Sequence, residues 1–329
     1  MFENQIILIT GGTGSWGHEL VKQLIEKNPK EIRILSRNES SQVAMKHKFD
    51  NHLKLKFIIG DIRDKAALSE ACTNVDYLFH LAALKHVPVC EEQPYEALKT
   101  NVLGTQNVIE SAIQKNIKKV IYISTDKAAN PTNFYGFSKA MGEKLIIHAN
   151  TLKSNTKFVC VRGGNVLGTN GSVIHIFKNQ IEKKSKIGIT DMRMTRFFLT
   201  IEDAIKLLFK ASYESLGGEI FVMKMPTLKI IDLALVLIES SGRKNVQIEE
   251  LGIRPGEKLH EILLTEQESN NTIFFDNEYF VILPDIHIEG LKEHYSNYSP
   301  IDLDHYDSNR SLMTRSEIRT MLRKGGFIQ

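Results

Sequence analysis

The segment Thr10-Gly11-Gly12-Thr13-Gly14-Ser15-Trp16-Gly17 lies directly behind an apolar run at 6–10 and ahead of an amphipathic stretch at 18–27. A strand that passes through closely spaced glycines into a helix gathers backbone N–H groups and the positive end of a helix dipole at one point, which suits a phosphate. Gly11, Gly14 and Gly17 fit the tight turn, the close approach of backbone to a pyrophosphate and the packing of helix on sheet. Thr13, Ser15 and Trp16 occupy the positions between them. A glycine-rich turn by itself serves backbone geometry as readily as ligand binding. Its place after a first strand, opening a helix and about 20 residues ahead of the end of a second strand, predicts a dinucleotide site.

Apolar runs recur at 32–36, 55–60, 75–80, 118–124 and 157–162, with helical stretches between them. Near-continuous apolar strands alternating with helices require a sheet covered on both faces. The expected fold is therefore α/β, a doubly wound parallel Rossmann sheet with a smaller C-terminal substrate-binding domain. The expected division is 1–165 for the nucleotide and 166–329 mainly for the substrate, with interleaving of the two allowed. Beyond about residue 165, Gly217-Gly218, Pro226, Arg254-Pro255-Gly256 and Pro284 interrupt shorter elements. An irregular arm is expected over 285–307 and a final helix over 315–324.

Composition narrows the function classes. With 42% hydrophobic and 25% charged residues, the 329-residue chain is neither disordered nor a coiled coil. Its 42 Lys+Arg against 39 Asp+Glu leave a net charge of +3, and no basic block marks a nucleic-acid partner. The start lacks the basic flank and cleavage site of a signal peptide. Apolar runs such as Phe280-Val281-Ile282-Leu283 fall short of the roughly 20 residues that span a bilayer, so no membrane partner and a cytoplasmic location are expected. Cys72, Cys90 and Cys160 read as buried thiols rather than disulfides, and the histidines show no metal-ligand spacing.

Ser36-Arg37-Asn38 closes the second strand. A basic residue there pairs with the 2′-phosphate of NADP, whereas an acidic one accepts from the ribose hydroxyl of NAD. NADP is the expected cofactor, with Arg37 and Ser36 as partners. Arg37 as a solvated loop cation, with Glu39 nearby, keeps NAD open. Asp61 closes the third strand, to meet an adenine amine or to cap a turn, with Ile62 beside it. Ala82 and Ala83 let the backbone lie against a ribose, and Lys85 points into the cleft or to solvent. Asn101 completes the expected cofactor set. His86, beside Pro88, reads more readily as structural.

The densest chemistry is Ser124-Thr125-Asp126-Lys127 followed by Tyr135-Gly136-Phe137-Ser138-Lys139. Tyr135 and Lys139 stand four apart on an expected helix and share a face. A neighbouring ammonium lowers a tyrosine pKa of about 10, which makes Tyr135 a base and places it against the cofactor beside Lys139.

With these motifs the chain resembles the extended short-chain dehydrogenase/reductase family, and within it the C-5-inverting nucleotide-sugar 4,6-dehydratases of pseudaminic acid and related surface-glycan pathways. The likeness runs through Ala82-Ala83-Leu84-Lys85, Asn165-Val166, Gly171-Ser172-Val173, Met194-Thr195-Arg196-Phe197 and Ile253-Arg254-Pro255-Gly256-Glu257-Lys258. It implies UDP-N-acetylglucosamine as substrate. It also implies Tyr135 as base at the 4-hydroxyl, Thr125 as a donor to the oxygen at C-4, Lys127, if neutral, as base at C-5, and Asp126, if protonated, as acid to the departing 6-hydroxyl. As a bare dipeptide, Asp126-Lys127 is also an ordinary solvated pair. The resemblance further implies a diphosphate and uracil clamp from Asn165, Ser172, Val173, Arg196, Arg254 and Glu257, each of which also fits plain ion pairing or capping, with Lys85 nearby. The resemblance also implies a homo-oligomer, a dimer or a hexamer. Arg162-Gly163-Gly164-Asn165 and Thr169-Asn170-Gly171 depart from the usual Arg-Tyr-Gly-Asn and Ser-Arg-Gly. A 4-epimerase would use the same tyrosine and cofactor without losing water, and a noncatalytic NADP-binding protein would keep only the nucleotide turn.

Overall fold

The computed structural model describes residues 1–169 and 171–329. Six parallel strands, β1 (Ile6–Thr10), β2 (Glu31–Ser36), β3 (Leu55–Ile59), β4 (Tyr77–His80), β5 (Lys119–Thr125) and β6 (Lys157–Gly163), lie in the order β3-β2-β1-β4-β5-β6. Burial follows position. Central β1 has Ile7, Leu8 and Ile9 fully covered, whereas edge strand β3 has no fully covered residue and exposes Lys56 and Ile59. Ile220–Met223 continues the sheet parallel to β6, and Tyr279–Ile282 and Thr272–Phe274 close it antiparallel, giving nine strands. The sheet is thus mixed only at this edge, where Thr272–Phe274 and Tyr279–Ile282 are joined by a turn too short for a crossover helix.

Helix α1 (Ser15–Ile25) packs beside Ile201–Glu214, while Lys65–Ala71, Gly104–Gln114 and Phe134–His148 pack in a row. α1 starts at Ser15, earlier than the expected residue 18, because the chain turns within Gly11–Gly14 and leaves Gly17 inside the helix. A Cβ on Gly17 would sit 1.9 Å from the Gly12 carbonyl oxygen. Residues after 165 contribute three strands to the large sheet and also build a second apolar cluster. That cluster includes Phe177, Ile181, Leu233, Leu237, Ile318 and Leu322 from the helices Val173–Lys184, Ile230–Ser241 and Arg315–Lys324. The stretch expected as an irregular arm carries a short helix, Leu291–His294, and a strand, Tyr306–Asp307. It is tied down because Leu291 and Tyr295 are buried and the Tyr295 hydroxyl donates to Glu219 at 3.0 Å.

All three cysteines are free and buried. Among the described residues no helix is long and apolar enough to cross a membrane.

Arg162 locks β6 to its neighbours. Its guanidinium, 1% exposed, donates to both oxygens of buried Glu143 at 3.0 and 2.6 Å, to both oxygens of Glu268 at 3.0 and 2.9 Å, and to the Leu263 carbonyl at 3.0 Å. Removing one partner of a buried pair leaves an uncompensated charge. Arg162→Ala is expected to lower unfolding free energy by about 3–5 kcal/mol, read from the urea midpoint at constant slope.

Candidate active site

β1 pairs with β2 on one side and β4 on the other, so the connections from β1 and β4 leave in opposite directions and open a crevice at the strands' C-terminal ends. The cleft there measures about 590 Å³. One wall carries Gly11, Thr13, Gly14, Ser15, Trp16, Ser36, Arg37, Asn38, Asp61, Ile62, Ala82, Ala83 and Lys85. The other carries Thr125, Lys127, Tyr135, Lys139 and Asn165. Residues scattered over most of the first half of the chain therefore meet in one cavity.

The nucleotide wall fits a dinucleotide on its own geometry. Gly11 has φ +68°, and a Cβ there would stand 2.7 Å from the Ala82 Cα, so the β1 turn and the Ala82-Ala83 backbone touch. α1 begins at the cleft with Gly14 as an N-cap that offers no side-chain acceptor, leaving the helix end available to an anion. Gly17 lies behind this surface. Arg37 reaches the rim, with Nη1 3.9 Å from Asp61, and more than half of its side chain is exposed. Asp61 is bound mainly by Arg63, at 2.8 and 2.6 Å. Although burial pushes its carboxyl up, Arg63 and Arg37 hold it below the usual carboxylate range. The Ser36 hydroxyl accepts from Gln42 at 3.0 Å.

Asn101 differs from expectation. Its amide accepts from the Leu84 N–H at 2.8 Å and donates to the Leu84 carbonyl and the Ser138 hydroxyl, both at 2.9 Å. All its capacity is spent inside the protein, on a π-helical turn, Leu98–Leu103. It braces the loop after β4 and does not line the cleft.

The chemical wall also departs from the expected arrangement. Tyr135 and Lys139 both face the cleft from Phe134–His148, a helix capped by the Asn133 side chain on the Gly136 N–H. The Lys139 ammonium, however, donates to the Ile123 carbonyl at 2.6 Å and lies 3.8 Å from the centre of the Tyr122 ring, and burial pulls its pKa down to about 7. Burial pushes Tyr135 up to about 12. What opposes that rise is the Lys127 ammonium and a hydrogen bond with Thr125. The cation that works on Tyr135 in the free protein is thus Lys127.

Lys127 itself is not neutral here. Its Nζ lies 3.0 Å from Asp126 Oδ1 and 3.4 Å from Glu261 Oε1. Burial favours the neutral amine, but these two carboxylates outweigh it and raise the pKa above the ordinary lysine value. Asp126 is completely buried behind the wall, takes the Thr125 hydroxyl at 2.8 Å, and leaves Oδ2 without a partner among the described residues. It meets the cleft only through Thr125 and Lys127.

The expected clamp is only partly assembled. Asn165 lines the cleft. Ser172 is the N-cap of Val173–Lys184, with its hydroxyl buried and unpartnered among the described residues. Arg254 is exposed and Glu257 half-exposed. Arg196 is buried and spent internally. It donates to the Thr195 and Leu259 carbonyls at 2.7 and 3.1 Å and pairs with Glu257 and Glu261 at 3.5 and 3.6 Å, so it braces residues 254–261. Gly163 lies against Met223, with its Cβ position 3.2 Å from the thioether sulfur. Asn170 lies outside the described residues. Sequence reasoning missed Glu261 and Lys258. The one available signal was a carboxylate set immediately before the apolar run Ile262-Leu263-Leu264.

A parallel sheet in Rossmann order with a glycine-lined cleft facing a buried tyrosine and lysine defines a nucleotide-binding protein of the extended short-chain dehydrogenase/reductase type. Residues 7–283 match the polysaccharide biosynthesis protein family, and the chain belongs to it. It is 44% identical over 300 residues to a UDP-N-acetylglucosamine 4,6-dehydratase (inverting) of Campylobacter jejuni, covering 90% of this chain and 88% of that one. It is also 44% identical over 274 residues to a UDP-glucose 4-epimerase of Rickettsia canadensis, covering 82% and 80%. Among solved structures, Pen from Bacillus thuringiensis superposes with a TM-score of 0.91 at 38% identity, covering 98% of this chain and 99% of that one.

Proposed function

We propose that the protein is an NADP-dependent UDP-N-acetylglucosamine 4,6-dehydratase that inverts C-5, acting in bacterial surface-glycan sugar synthesis. The observation that carries this reading is the acid and amine pair at the cleft wall, Lys127 on it and Asp126 behind, with Asp126 Oδ1 3.0 Å from Lys127 Nζ, beside Tyr135. Epimerisation at C-4 needs a base and a hydride carrier, and it leaves this pair without a task. Arg37 at the end of β2 supports NADP over NAD.

A bound nicotinamide dinucleotide supplies a reversible hydride acceptor, held by the turn Gly11–Gly14, the N-terminus of α1, Ser36, Arg37, Asp61 and the Ala82-Ala83 backbone. Tyr135 takes the proton of the 4-hydroxyl, with the Lys127 ammonium and the Thr125 hydroxyl stabilising its phenolate. Oxidation at C-4 makes the hydrogen at C-5 acidic. Lys127, once neutral, removes it, and the proton held by Asp126 reaches the departing 6-hydroxyl through Thr125 or Lys127, so that one water leaves. Asn165 lines the cleft, and with the start of Val173–Lys184 it would hold the diphosphate.

Incubation with UDP-N-acetylglucosamine tests the reading. Mass spectrometry is expected to show a product lighter by one water, and proton NMR a 6-deoxy-4-keto sugar with inverted C-5. An isomer of unchanged mass would assign the 4-epimerase activity instead.

A further inference from the structure

Residues 254–261 come from the far end of the chain and pack behind the chemical wall of the site. The Gly256 carbonyl accepts from Thr132 and Asn133 at 2.9 and 3.0 Å, and Lys258 donates to the Ala129 carbonyl at 2.7 Å. These contacts seat the segment against the loop between Lys127 and Tyr135. Glu261 is fixed on both sides of its backbone, donating to the Ser308 hydroxyl at 2.9 Å and accepting from the Ser308 N–H at 2.8 Å. Its side chain is 5% exposed, with Oε1 between Lys127 Nζ at 3.4 Å and Arg196 Nε at 3.6 Å. Oε2 is buried with no hydrogen-bond partner among the described residues. A carboxylate held this rigidly beside a reactive amine cannot swing away to solvent.

We propose that Glu261, anchored by Arg196 and Ser308, is a positioning residue that holds the Lys127 amine on the cleft wall and sets its basicity. For its consequence in turnover, this rests on the dehydratase reading. The other charges around Lys127 are Asp126 on its own turn, Arg196 from the Thr195–Leu199 strand, and Lys258 beside Glu261, with Tyr135 on the same wall of the cleft. Asp126 and Glu261 favour the ammonium, while Arg196 and burial oppose it. When the proton moves from Nζ to Asp126 Oδ1, ammonium becomes amine and carboxylate becomes acid, with no change in the pair's net charge. The amine then takes the C-5 hydrogen as a proton, its electron pair stays on the sugar and expels the 6-hydroxyl, and the proton on Asp126 completes the water. Glu261 stabilises the ammonium that this step regenerates, so it makes Lys127 a stronger base and one that is neutral less often.

The test reads Lys127 directly, by competitive acetylation with acetic anhydride and mass spectrometry of the intact protein's peptides. Removing the nearby charge lowers the Lys127 pKa, and one unit is a tenfold change in neutral fraction, so Glu261→Gln is expected to label about 10-fold faster or more at about pH 8. Glu261→Asp, with the charge withdrawn by one methylene, should fall between the two and carries the test if the Gln variant does not fold. In turnover, the active pair holds one proton between Asp126 and Lys127, so the falling limb of product formation, where that proton is lost, should move to lower pH in Glu261→Gln. A purely structural Glu261 would lower product formation at every pH without moving the limb. Labelling rates equal to wild type in both variants overturn the proposal whatever the wild type turns over. Failure of the wild type to exchange C-5 overturns the dehydratase reading and leaves the labelling result to decide the hold on Lys127.

Discussion

Lys127→Ala is expected to abolish C-5 hydrogen exchange with deuterated solvent, a loss of about 10²–10⁴-fold, while the protein still binds its nicotinamide dinucleotide. The side chain belongs to the cleft's chemical wall, across from the glycine turn, so its removal leaves the nucleotide wall intact. It is the only amine whose Nζ touches Asp126 among the described residues. Hydride transfer should slow as well, though less, because Lys127 is the cation that opposes the burial of Tyr135 and its loss drives the phenol further from ionising. The two steps separate in a single turnover. Absorbance of the reduced nicotinamide reports the first, and loss of the C-5 proton signal in deuterium oxide reports the second. Unchanged exchange in this variant would remove Lys127 as the base at C-5.

The same cluster shows how much was legible beforehand. The glycine turn and the Thr125-Asp126-Lys127 run are each contiguous in sequence, and short spacing fixes their geometry where β1 and β5 end, while the doubly wound order follows from the alternation of apolar strands with helices. Lys139 was placed on the correct helix face, but its partner, the Ile123 carbonyl, belongs to the neighbouring strand, and no helical period reveals which neighbour a buried amine will choose. Arg196 was read as a phosphate grip from residue type alone. Tertiary packing surrounds it instead with two carbonyls and two carboxylates of its own chain. Glu261 could not have been paired with Lys127 from sequence, since their meeting depends on how residues 254–261 dock on the turn at Thr132-Asn133.

Tyr135→Phe removes one oxygen and changes little else in the wall, and it is expected to slow hydride transfer by about 10²–10⁴-fold with dinucleotide binding retained. The ring is buried against Cys90 and Ala97, so Phe fills the same space and the fold survives. The wild-type phenol must lose its proton to act, and in the free protein burial holds it up at about 12. The active form therefore gains population as pH rises, and single-turnover hydride transfer in wild type should climb with pH toward that value. Binding that brings further positive charge beside the phenol lowers the midpoint and does not change the sign. Phe has no ionisable group, so its residual rate should lose this limb altogether. A Phe variant that kept both the wild-type rate and its pH limb would assign the 4-hydroxyl proton to another group.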